Sequence, residues 1–216
     1  MATLHNLSSS RLLKSLPYDS EVKYLESTGI PYIDTGLLSD WSGLVVSMEV
    51  EVFDTFTGLS QNRFFFGSTF NPVATRTAIS LERSASDIIR FYFRIGSVFK
   101  LSPNNLTTHQ TITIDRPNGV ILGEYSGGTW RRDASTIDWD VVNGNFNLFR
   151  VQGISNTSPS LAHSRFYMCR FIRYGEMIRD FIPVRVGDVG YMYDRVSKRL
   201  FGNVANSGYF IVGPDV

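Results

Sequence analysis

The segment Glu49-Val50-Glu51-Val52-Phe53 holds the spacing of side chains best suited to do chemistry. Alternate side chains of an extended chain share a face, so Glu49 and Glu51 project together with Cα atoms roughly 6.5–7 Å apart. A retaining glycosidase uses two carboxyl groups about 5–5.5 Å apart, one as nucleophile and one as acid and base. The position that would continue the series is Phe53, and the next acid, Asp54, falls on the opposite face. The same pattern is that of a solvent-facing strand with two ordinary charges, and this reading is adopted. No catalytic residues are therefore assigned, and the chain is not expected to be an enzyme.

Other reactive side chains are scattered. His5, His109 and His163 show no metal-ligand spacing. Surface positions are expected for His109 and His163, and no nucleophile–histidine–acid set can be assembled from the linear order. Gly127-Gly128-Thr129 lacks the lysine and the strand-to-helix setting of a phosphate loop. No tight acidic spacing announces a metal site, although a calcium ion held by one loop Asp and backbone carbonyls stays open. No cofactor is expected. Cys169, beside Met168 and near Phe171, suits a small buried hydrophobe.

The stretch from Tyr125 to Asp140, YSGGTWRRDASTIDWD, is where a binding surface is sought. Indole faces stack on the apolar side of a pyranose, while Arg and Asp bind its hydroxyls. Trp130, Arg131, Arg132 and Trp139, with Trp41 as a fifth, are the candidates for glycan or partner contact. Two alternatives stand beside the glycan reading. The stretch could be a locally packed loop that plugs one end of the fold, or an interface anchored by Trp and Arg.

These residues need a frame, and the pattern supplies one. Val46, Met48, Val50 and Val52 form one apolar face, with Ser47, Glu49 and Glu51 on the other. The alternation recurs at Ile89 to Ile95, at Ile112 and Ile114, and at Phe149 and Val151. Strands with one dry and one wet face belong to antiparallel sheets. Asp115 to Gly119, Arg173 to Glu176 and Asp194 to Arg199 read as hairpin turns. No segment after Pro17 holds a helical period. The pattern predicts an all-β fold of two antiparallel sheets packed face to face.

The chain has 216 residues, enough to bury roughly 70% of its unfolded surface without disulfide or metal support. A net charge of +1 argues against a nucleic-acid surface. Arg170, Arg173, Arg179, Arg185, Arg195, Lys198 and Arg199 crowd the final quarter, but Asp180, Asp188 and Asp194 interleave with them, which predicts a salt-bridged face. No apolar run approaches the ~20 residues of a membrane span, and no secretory signal is read at the start. Residues 1–17 stand apart as an arm, in which Leu12, Leu13 and Leu16 would form one short docking face before Pro17 stops it. Residues 18–216 form the sandwich.

The motifs at the two ends carry a resemblance. Tyr24-Leu25-Glu26-Ser27-Thr28-Gly29 and Tyr32-Ile33-Asp34-Thr35-Gly36 open the sandwich, and the segment from Arg179 to Pro214 closes it with RDFIPV, MYD and a final GYFIVGP. This combination resembles the laminin-G and concanavalin-A-like jelly rolls of bacteriophage virion proteins and gut-bacterial surface proteins. It implies that the last strand lies beside the first and brings the termini together. Related glucanases on that fold place a third acid where Phe53 stands. The resemblance also implies a phage virion accessory protein of the head, a tail fibre or the capsid decoration. The arm would attach it to other virion proteins, and the sandwich would be presented to host-surface polysaccharide or protein. A homo-oligomer, most simply a trimer, and a virion location after assembly in the host cytoplasm belong to that expectation. A stand-alone carbohydrate-binding or glucanase-like protein and a purely structural capsid or tail component are the alternatives.

Overall fold

A computed structural model of the chain describes residues 16–52, 63–68, 80–83, 89–93, 97–100, 109–136, 144–151 and 162–216. No helix occurs among the described residues. The strands in chain order begin with β1 (Ser20–Glu21), β2 (Leu25–Ser27), β3 (Ile33–Leu38), β4 (Leu44–Val52), β5 (Arg63–Gly67) and β6 (Ser80–Arg83). They continue through β7 (Ile89–Phe93), β8 (Ser97–Lys100), β9 (His109–Asp115), β10 (Val120–Tyr125), β11 (Gly128–Asp133) and β12 (Asn145–Leu148). The closing strands are β13 (Ser164–Arg173), β14 (Glu176–Val186), β15 (Val189–Asp194), β16 (Arg199–Phe201) and β17 (Ile211–Val212).

Two antiparallel sheets result, and the fold is an all-β sandwich. The larger runs β11-β10-β9-β4-β13-β14-β15-β16, with β2 and β17 continuing beside β13 and β1 beside β14. The smaller runs β3-β12-β5-β6-β7-β8. In β4 the predicted phase holds: Val46, Met48, Val50 and Val52 are all buried, and Ile112 and Ile114 of β9 lie beside them. Phe171 of the larger sheet meets Phe66 and Phe146 of the smaller, with ring centroids 6.3 and 5.5 Å apart. Each such ring removes ~150–250 Å² from water, so these contacts dominate the adhesion of the sheets. Cys169 is a free, fully buried thiol in the same core.

The closing segment returns to the opening one, as the resemblance implies. β17 pairs with β2, through Ile211 opposite Glu26 and Val212 opposite Leu25, and Val22 bridges to Asp215. The turn between β13 and β14 is the two-residue Tyr174-Gly175, both with positive φ (50° and 85°), as a tight hairpin requires. Gly208 sits at φ 76° against Pro31, where a side chain would be strained.

Two segments depart from expectation. Phe149 to Val151 is a bend, with Phe149 at φ 75° and Arg150 buried beneath the surface. The Phe149 ring is held between Phe166 and Phe210, each 4.7 Å away, and tertiary packing overrides the local alternation. In the stretch after Tyr125, Gly128–Asp133 form a regular strand, β11, joined to β10 through Ser126-Gly127 and last in the sheet among the described residues.

Candidate functional site

The face of the larger sheet turned away from the core carries the densest chemistry among the described residues. Registration places Glu26 of β2 opposite Arg165 of β13, Arg165 opposite Glu51 of β4, and Glu51 opposite His109 of β9. Four strands thus set acid, base, acid and histidine in one transverse row. Opposite charges across paired strands attract, so the row also fixes register. Arg165 Nε donates to Glu26 Oε2 at 2.6 Å, and its Nη1 donates to Glu51 Oε2 at 3.2 Å. His163 Nε2 lies 2.7 Å from Glu26 Oε1. The Arg165 guanidinium also covers the Tyr24 ring at 4.2 Å.

A bulge completes the site. The register of β13 on β4 shifts between Phe166 and Met168, leaving Tyr167 as the extra residue. Its hydroxyl donates to Glu51 Oε2 at 2.8 Å, and its ring stacks on His109 with centroids 4.4 Å apart. Burial and the bond to Glu51 push the phenol up to about 12, so it remains a donor at neutral pH. Burial alone would raise the Glu26 carboxyl, but the contacts from His163 and Arg165 outweigh it and hold it below the usual range. Burial works in the opposite sense on Arg165, and Glu26 more than compensates, raising it.

Glu49 differs from its neighbours. Its Oε1 is 2.9 Å from His109 Nε2, its side chain is 36% exposed, and Oε2 has no partner among the described residues. It forms the wall between two shallow grooves. One, of about 260 Å³, is lined by Glu49, His109, Gln110, Thr111, Glu124, Tyr125 and Ser126. The other, of about 340 Å³, is lined chiefly by Glu21, Lys23, Glu49, Tyr167, Ile182 and Pro183. Both grooves offer hydroxyl, carboxylate and ring surfaces to a polar ligand. Glu51, committed to Tyr167 and Arg165, is not the chemical equal of Glu49, so their shared face does not make them an interchangeable pair. Among the described residues no group of three or more His, Cys, Asp or Glu side chains could hold a metal ion.

The residues singled out for ligand contact fare differently. Trp41 is 1% exposed and packs edge-on against Phe146, with centroids 5.0 Å apart. Trp130 is 5% exposed and lies over Gly123 of β10, leaving no room there for any side chain. Neither indole can stack on a sugar, which corrects their assignment as binding residues. For Trp130 the local-packing alternative is the one observed. Arg131 and Arg132 are exposed on β11, apart from both groove linings. Asp133 accepts a hydrogen bond from the Ser135 backbone N–H at 2.8 Å. Leu16 is exposed. Trp139, Leu12 and Leu13 lie outside the described residues. His109 is exposed and His163 half-buried, in keeping with the surface positions expected, and both are brought to one face, each against a carboxylate. Their partners stand 60 and 137 residues away, so the sequence signal was only the run of polar side chains in the wet phase of β4, β9 and β13.

No family model matches the chain, and no curated protein matches it. Solved structures do. A crystal structure of a candidate carbohydrate-binding protein from Bacteroides ovatus ATCC 8483 superposes with a TM-score of 0.55 at 12% identity, covering 89% of this chain and 60% of that one. Two crystal structures of scytalido-glutamic peptidase with transition-state analogues match at TM-scores of 0.42 and 0.41, with 10% and 11% identity, covering 92% of this chain and 100% of theirs. The first likeness shows the shared sandwich fold. The other two are structures of an enzyme, so the expectation that this chain is not one does not stand as a finding, and at these scores they assign it no activity.

Proposed function

We propose that this chain is a carbohydrate-binding β-sandwich whose ligand lies on the outer face of the larger sheet, across the grooves that Glu49 divides. The observation that carries the reading is that pair of grooves. They set a half-exposed carboxylate, hydroxyls and the Tyr167 ring on a rigid sheet, the surface that sugar hydroxyls and ring faces require. The sandwich shared with the Bacteroides ovatus protein supports it. A glycan array probed with the purified, multimerised protein tests it. Saturable binding that is weakened by Glu49→Ala is expected, while Trp130→Ala should retain binding in proportion to the protein that remains folded. Absence of binding by well-folded protein would sink the proposal.

The sequence resemblance supports a narrower second reading, in which residues 1–17 anchor the sandwich to other virion proteins and oligomeric display raises avidity. Several weak sites presented together gain ~10²–10⁴ over one. Deleting residues 1–17 tests it: a folded protein no longer incorporated into particles would support attachment, and normal incorporation would remove it.

A further inference from the structure

Three non-glycine residues among the described ones have positive φ: Phe149, Tyr174 and Lys198. That conformation strains an L side chain. Phe149 offsets the strain with a fully buried ring, and Lys198 closes the turn at Asp194, its N–H donating to the Asp194 carbonyl at 2.8 Å. Tyr174 has no such return. It takes the first of the two turn positions between β13 and β14, where Asn is favoured before Gly. Its side chain is 76% exposed, and neither ring nor hydroxyl has an aromatic, ionic or hydrogen-bond partner among the described residues. The ring is nevertheless held in place. It rests against Gly43, where any side chain would collide with it, and the Tyr174 N–H donates to the Gly43 carbonyl at 2.9 Å. A strained residue whose ring is fixed and open to solvent points to a task outside the fold. A second, independent observation is the hollow beside it, of about 570 Å³, larger than either groove at Glu49. Small-ligand sites commonly measure ~300–1,000 Å³. Val45 and Ile172, opposite one another on β4 and β13 and half-buried on the outer face, floor the hollow. Ser42, Arg116, Pro117 and Tyr174 border it.

Resting on the carbohydrate reading, we infer that this hollow is a second sugar site, in which a pyranose lays its apolar face on the Tyr174 ring. A pyranose has a face of C–H groups and a rim of hydroxyls. The hollow meets them with a fixed aromatic ring and an aliphatic floor, and with a hydroxyl and a guanidinium at its border. A ring already held in place gives up little freedom on binding. Along β4 the hollow lies about 13 Å from Glu49, four residues at ~3.3 Å each, so it is separate from the grooves there.

The test separates binding from folding at one residue. Methyl glycosides of glucose, galactose and mannose are titrated into the isotope-labelled full chain, and chemical-shift changes report affinity and place. At least one sugar should shift the amides of Gly43, Ile172 and Gly175 saturably. Tyr174→Asn gives the turn its favoured residue and removes the ring. It should weaken that binding about tenfold or more, while the thermal midpoint holds or rises by about 2 °C. Shifts confined to Glu49, His109 and their neighbours would overturn the inference while leaving the carbohydrate reading in place. So would shifts beside Tyr174 that survive Tyr174→Asn, or a midpoint lower by more than about 2 °C, which would make the ring a prop for the turn. Tighter binding of a decaproline peptide than of any sugar would also overturn it, by making the hollow a peptide site. If no sugar shifts any signal and no glycan on the array binds, both fall together.

Discussion

Two clusters of acids and arginines lie on the same sheet and do opposite things. At the β14–β15–β16 end, Asp194 is fully buried and every direction around it is filled. It accepts from the backbone N–H groups of Asp180, Val196 and Ser197 at 2.9–3.1 Å, and Arg179 stands 3.5 Å away. Asp180 beside it is gripped by Arg170 and Arg195. On the outer face near β2, β4 and β9, Glu26 and Glu51 are gripped in the same way by Arg165, but Glu49 is not. The difference is one of saturation. A carboxylate whose lone pairs are consumed by its own chain shapes a turn. One held from a single side, on a rigid strand beside a groove, keeps an acceptor open.

The largest effect should therefore come from the saturated cluster. Asp194→Ala strips three backbone N–H groups of their acceptor and Arg179 of its counter-ion at once. Breaking a buried pair of this kind costs about 3–5 kcal/mol, which a urea unfolding curve would read as a markedly lower midpoint. Binding of glycan by the protein that stays folded should be unchanged. A loss below about 1 kcal/mol would mean that the turn is held by its backbone alone.

Glu26→Gln belongs between the extremes. Glu26 is nearly buried and serves both His163 and Arg165, yet Arg165 keeps Glu51 and the Tyr24 ring when the charge is removed. A loss of about 1–2 kcal/mol is expected, smaller than at Asp194 because the amide oxygen still accepts one bond. Equal losses in the two variants would erase the distinction between the clusters.

Acid should reveal both together. Burial would raise the Asp194 carboxyl, but hydrogen bonds from Ser197 and from the backbone of Asp180 and Val196 lower it further, and Glu26 is lowered likewise. A carboxyl with a folded pKa below its unfolded value contributes fully above the unfolded value, about 3.9 for Asp and 4.3 for Glu. That contribution disappears as pH falls through the lower, folded value. Stability should thus be insensitive to these two groups from pH 7 to about 5 and fall below about 4. The decline should be shallower in Asp194→Ala, measured as the urea midpoint across pH.

The contrast also explains what could be read from residues alone. The alternation of β4 and β9, the turn at Tyr174-Gly175 and the closure of β17 on β2 depend on near neighbours or on a motif carried in one stretch, and all were legible. The seat of Trp130 is Gly123, on the neighbouring strand, and nothing in the polar run around Trp130 reveals it. The grooves are less legible still. His109 meets Glu49 only because β9 pairs with β4, and Tyr167 reaches Glu51 only through a one-residue bulge. Glu49 and Glu51 were seen as a pair on one face, but their chemical inequality comes from β13, more than a hundred residues away.

The smallest expected change in stability is at Glu49, and it separates the clusters most cleanly. Gln at this position keeps the shape of the side chain and an oxygen for His109, so unfolding free energy should move by no more than about 0.5 kcal/mol, as for an ordinary surface change. The carboxylate facing both grooves is lost, however, and a charge-assisted bond to a ligand falls to a neutral one. Affinity for whichever glycan the array identifies should drop by about tenfold, since each 1.4 kcal/mol is a factor of ten. Asp194→Ala and Glu49→Gln are then mirror images, one large in stability and silent in binding, the other the reverse. If Glu49→Gln instead destabilises the fold as Glu26→Gln does and leaves binding intact, Glu49 is a register-setting charge like its neighbours, and the ligand must be sought elsewhere on the sandwich.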